Sequence, residues 1–138
     1  MRTWALLVLG WLVSVVPACS TAHPLSEATR VPITDLGYIV GTWQGTSKRM
    51  PEMRDHAEVI LIINEHAHFN FVSDRGTDLF LGTGSLVLSD GRAYGETAGG
   101  RGTLALHKKK AGDLILTVEV TLNDGYRYYL EMAREPLR

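Results

Sequence analysis

From residue 38 onward the chain runs in short segments of alternating apolar and polar positions, separated by turn residues. Residues 38–47 read as a first strand, and 48–55, with Pro51, as a loop. Residues 57–64 are almost continuous in Val, Ile and Leu, the pattern of a strand covered on both faces or at a barrel corner. Asn64-Glu65 is a tight turn. In 66–73, Ala67, Phe69 and Phe71 fall on one face and His66, His68 and Asn70 on the other. Residues 74–78 read as a loop, and 79–88 as a strand with a bend or bulge at Gly82 and Gly84. Asp90-Gly91 is a strong hairpin signal leading into a strand over 92–97. After Gly99-Gly100 come a strand over 103–107 and a turn over 108–113. Leu114, Leu116, Val118 and Val120 then alternate with Ile115, Thr117, Glu119 and Thr121, the clearest period of two in the chain. Asn123-Asp124-Gly125 turns once more, and 126–134 closes the series with Tyr128, Leu130 and Met132 on one face.

About eight short strands at near-regular spacing, with no helix-period segment between them, predict an all-β antiparallel meander. Closing it into a small up-and-down barrel removes its sheet edges. An open two-layer sheet is the alternative. Gly41-Thr42-Trp43-Gln44-Gly45 stands at the head of the series. An indole between glycines suits a barrel floor, because the glycines let backbones approach while the indole fills the closed end.

Upstream the pattern changes. After Arg2, residues 4–16 form an apolar run broken only by Gly10 and Ser14. It is well short of the roughly 20 residues a bilayer span needs, and has the size of a signal-peptide core. The run ends at Ala18-Cys19-Ser20, and Cys19 is the one cysteine. A small residue before a lone cysteine after such a run resembles the lipobox of bacterial lipoproteins. The resemblance implies cleavage before Cys19 and lipidation of it, and Ser20 after it points to the outer membrane by the sorting habit of enteric bacteria. Ordinary cleavage after Ala18 or Ala22 is the alternative, since Ser20-Thr21-Ala22 is also a small-x-small site and cleavage there would discard Cys19. The domain plan is a lipoprotein signal peptide over 1–18, a lipid-anchored polar linker over 19–36 and a barrel over 37–138.

Composition narrows the partners. Fourteen Lys and Arg against 15 Asp and Glu leave a formal charge of -1, unlike a basic domain built for nucleic acid. One cysteine rules out an intrachain disulfide, so packing and strand pairing alone hold the domain.

Gly41-Thr42-Trp43 on the first strand of an eight-strand meander resembles the Gly-x-Trp signature of the lipocalin (calycin) superfamily. That resemblance implies a basic residue on the last strand packed over the tryptophan, and Arg134 is the match. The series Gly-Thr-Trp-x-Gly, Ser89 to Arg92, Gly102 to Leu104 and Tyr128 to Arg134 looks like a group of small bacterial envelope lipoproteins with no agreed biochemical function.

Candidate chemistry is sparse. His66 and His68, two apart on a strand, share a face and are candidate metal ligands, with His56, His107 or Glu58 as a third. The plain reading is a polar outer face. No nucleophile elbow is present, and Asp90-Gly91 and Asp124-Gly125 are turns first. Lys108-Lys109-Lys110 is a basic hairpin tip that can meet anionic head groups or simply keep the tip soluble. Lys48, Arg49, Met53, Tyr126 and Tyr129 are the candidate partner surface. The expected function is a non-catalytic, lipid-anchored binding or interaction module of the envelope, facing the periplasm and without cofactor. Its partner would be an envelope protein or glycan. A hydrolase inhibitor acting through 48–55 or 74–78 and a carrier of a small apolar ligand are the alternatives.

Overall fold

Alternation along the chain becomes strand pairing throughout. The computed structural model describes residues 25, 27–73 and 82–136. The expected signal peptide, Cys19, the first part of the expected linker and the loop expected at 74–78 lie outside them. The strands are β1 (Thr29–Val31), β2 (Gly41–Arg49), β3 (Arg54–Ile63), β4 (His68–Ser73), β5 (Gly82–Ser89), β6 (Arg92–Thr97), β7 (Gly100–Lys108), β8 (Leu114–Leu122) and β9 (Arg127–Arg134). β2 to β9 pair in sequence order, every pair antiparallel, and β9 returns to pair with β2. The result is a closed eight-stranded up-and-down barrel of the lipocalin-like kind, so the open two-layer alternative falls away. β1 is a ninth, short strand on β7, with Thr29 opposite Lys108 and Val31 opposite Leu106.

Turn chemistry sets the hairpins. Asp90 (φ 51) and Gly91 (φ 72) both take left-handed backbone, the requirement of a two-residue type I′ turn whose twist matches its strands. Gly41, at φ 131, enters β2 through a conformation closed to other residues, which explains the glycine two positions before Trp43.

One end of the barrel is plugged. Residues 32–34 lead into a 3₁₀ turn, Leu36–Tyr38, capped by the Asp35 carboxylate, which accepts from the Gly37 amide at 2.7 Å. Ile33 and Ile39 are buried beneath it with Trp43, which is 0 % exposed. The Trp43 Nε1–H donates to the Ile39 carbonyl at 2.8 Å. Arg134, directly opposite Trp43 on β9, lays its guanidinium 4.6 Å from the indole centroid and donates through Nη2 to the Tyr38 carbonyl. One arginine thereby ties the last strand to the plug and the indole.

Inward positions along the strands meet in a single apolar core. Phe69 fills the part of the barrel where β5 and β6 carry no side chain. A Cβ at Gly84 would stand 2.6 Å from its ring, and one at Gly95 2.7 Å. Phe71 packs edge-on against Phe69 with centroids 5.6 Å apart. Among the described residues the void left between Phe69, Phe71, Leu86, Leu104 and Val118 is about 20 Å³, room for a single water.

Four expectations change. The linker of 19–36 ends earlier and the barrel unit begins before 37, because β1 pairs with β7 and Ile33 is 1 % exposed, its amide bonded to the Gly91 carbonyl at 2.9 Å. Residues 36–38, the first of them assigned to the linker and the last to a strand, form the plug. The apolar run of β3 is covered on its inner face only, since Ile62 is 43 % exposed beside Val72 at 45 %. The bulge falls in the β2–β3 pair, where the register skips His56 and the buried Ser47 hydroxyl bridges the Ala57 amide and carbonyl. Gly84 instead supplies room for Phe69.

Candidate functional site

The interior void between Phe69, Phe71 and Leu86 is only about 20 Å³, so the site is sought on the rim and the wall. At the end away from Trp43, β2 runs on to Arg49 and β3 begins at Arg54, so the loop expected over 48–55 is only 50–53. Met53 is exposed there at φ 56. The Arg49 guanidinium covers the exposed Tyr126 ring at 4.1 Å. Lys48 and Tyr129 are cross-strand neighbours one step away, on the outer face. The five candidate surface residues thus divide. Arg49, Met53 and Tyr126 belong to the rim, whereas Tyr129 turns onto the wall, with Lys48 at the junction.

His66 and His68 do not share a strand face. His66 sits in the turn before β4, where Ala67 has φ 61 and the Asn64 side-chain oxygen accepts from the amides of both His66 and His68 at 3.0 Å. The Asn64 side chain organises a wider turn than the expected two-residue one. Among the described residues no group of three His, Cys, Asp or Glu is placed to hold a metal ion.

The wall over β5 to β9 joins Tyr129 and Lys48 to residues that the sequence did not single out as partner surface. Register places Val87, Tyr94, Thr103, Glu119, Tyr129 and Lys48 in one row across six strands. Two grooves open along this row and share Thr103 and Glu119. The first, about 300 Å³, is bounded by Arg30, Arg92, His107, Thr117 and Tyr129. The second, about 380 Å³, is bounded by Tyr94, Glu96, Arg101 and Thr121.

Charge within the first groove is unevenly compensated. Glu119 lies 4.0 Å from Arg127, and Glu131 accepts from the Tyr129 hydroxyl at 3.1 Å. Burial, then the Glu131 carboxylate and that hydrogen bond, pushes the Tyr129 phenol well above its ordinary range. Burial, then the neighbouring Arg30 cation, holds the His107 imidazole below its ordinary value against the opposing pull of Glu131. The Arg92 Nε and the His107 Nδ1 are buried and have no hydrogen-bond partner among the described residues. Arg30, Arg92 and His107 come from three strands, so no sequence spacing could have announced their meeting; the nearest signal was the positive charge of Arg92 beside the Asp90-Gly91 turn.

Such a surface can hold polar and anionic groups through side chains. No family model matches the chain, and no curated protein and no solved structure is significantly similar to it.

Proposed function

We propose that this protein is a non-catalytic interaction module of the bacterial envelope, anchored by lipid on Cys19 and engaging its partner through the outer surface of a filled barrel. The observation that carries the reading is the interior. A void of about 20 Å³ is far below the roughly 300–1,000 Å³ of small-molecule sites. That argues against a carrier of apolar ligands. A working loop over 48–55 is argued against by its shortness, since only 50–53 separate β2 from β3.

The anchor rests on the leader and the lone cysteine. With β1 beginning at Thr29, a tether of about ten residues reaches at most roughly 35 Å, so the barrel would ride close to the bilayer. Its entry beside Lys108 would put the basic Lys108-Lys109-Lys110 hairpin on the membrane side, each lysine contributing about 1 kcal/mol near an anionic surface.

Mass spectrometry of protein extracted from native membranes tests both parts. The expected spectrum shows a chain beginning at acylated Cys19 and no small molecule retained at stoichiometric level. A chain beginning after Ala22, without acyl groups, would contradict the anchor. A co-purifying apolar molecule would contradict the filled-barrel reading.

A further inference from the structure

We infer that the outer-wall groove is a binding site for an acidic glycan, whose carboxylate sits between Arg92, Arg30 and His107 and whose sugar rings run along the β6–β9 wall. The inference deepens the surface reading proposed above and rests on it.

The carboxylate end follows from two arginines gathered on one groove. Arg92 has a buried Nε without a partner among the described residues, and His107 likewise a buried Nδ1. Both bound one groove of about 300 Å³, and Arg30 stands opposite His107 across the β1–β7 pair. The Arg30 and Arg92 guanidinium groups bound this opening with the His107 ring between them, and together they form its basic side. Glu131 is engaged by the Tyr129 hydroxyl and Glu119 lies 4.0 Å from Arg127, whereas Arg30 and Arg92 have no ion pair among the described residues. A carboxylate accepts from guanidinium groups through short, charge-assisted bonds.

The glycan follows from the wall. Tyr94 and Tyr129 lie in the same cross-strand row, three strand spacings or roughly 14 Å apart, with Thr103 and Glu119 between them. Tyrosine rings offer faces for sugar C–H groups, and Thr and Glu oxygens offer partners for hydroxyls. An extended peptide usually docks by pairing with a free sheet edge. β6 to β9 are each paired on both sides, so this stretch of the wall offers only side chains, and the three-residue β1 alone keeps an unpaired edge among the described residues.

The test is calorimetric titration of the full chain, extracted from membranes in detergent, with α-1,4-linked trigalacturonate. Control arms use the neutral galactotriose, acetate, and the tripeptide Glu-Glu-Glu. Trigalacturonate is expected to bind about tenfold or more tighter than each control, and Arg92→Gln to weaken it by about tenfold. Arg30→Gln, at an exposed position, gives the same direction should Arg92→Gln fail to fold. Tyr94→Ala is expected to weaken trigalacturonate and leave acetate unchanged. Absence of trigalacturonate binding at millimolar concentration overturns the inference. So does equal binding of acetate, which would leave a simple anion site, of galactotriose, which would remove the role of the arginines, or of the tripeptide, which would make the groove a peptide site. Any of these leaves the surface reading standing, whereas a molecule retained inside the barrel would contradict that reading by itself.

Discussion

Trp43→Ala is expected to lower folding stability by about 3–5 kcal/mol. The indole is fully buried, its N–H satisfies the Ile39 carbonyl, and Arg134 stacks on it. Truncation removes all three at once, leaving the Ile39 carbonyl without the indole donor and the Arg134 guanidinium without the ring beneath it. A small domain has about 5–15 kcal/mol in total, so the variant should melt at least about 12 °C below the parent protein or not fold at all. Trp43→Phe keeps a ring and loses the donor, and should fall between the two. Thermal denaturation followed by circular dichroism checks this. A melting temperature within a couple of degrees of the parent would show that the plug does not hold the barrel.

The second large effect concerns Phe69. Phe69→Ala is expected to cost about 3–5 kcal/mol, because glycines at 84 and 95 give its surroundings no side chain with which to fill the space. The cavity should then admit a small apolar molecule, so saturating toluene should raise the variant's melting temperature and leave the parent unchanged. A double-mutant cycle sharpens the test. The nearest atoms to a Cβ on Gly95 are those of side chains, the Phe69 ring at 2.7 Å and Leu86 at 3.1 Å. Gly95→Ala should therefore cost about 1–3 kcal/mol in the parent and much less when Phe69 is already Ala. Additive costs would mean that Phe69 does not rest on Gly95.

Most of the barrel was legible because its determinants are local. Asp90-Gly91 and Asn123-Asp124-Gly125 turn where their residue types demand, and the period of two over 114–122 is the inner and outer face of β8. Trp43 and Arg134, singled out by the lipocalin resemblance, stand opposite one another at the floor. What escaped has tertiary causes. Thr29-Arg30-Val31 is short and largely exposed, and becomes a strand only because β7 extends past β6 and offers it an edge. His66 and His68 looked like strand neighbours because spacing does not reveal that Asn64 holds the chain in a turn up to His68. The wall groove needs Arg30, Arg92 and His107 from three strands, and their meeting depends on register.

The proposed surface function depends on a barrel interior that is full. The most direct measurement is a high-resolution crystal structure of protein purified from its own membranes without refolding. Side chains are expected to pack from Trp43 to Phe71, with space for at most one water between Phe69, Leu86 and Val118. Continuous elongated density enclosed by Phe71, Leu116 and Val118, of the length of a fatty acid or isoprenoid, would contradict it.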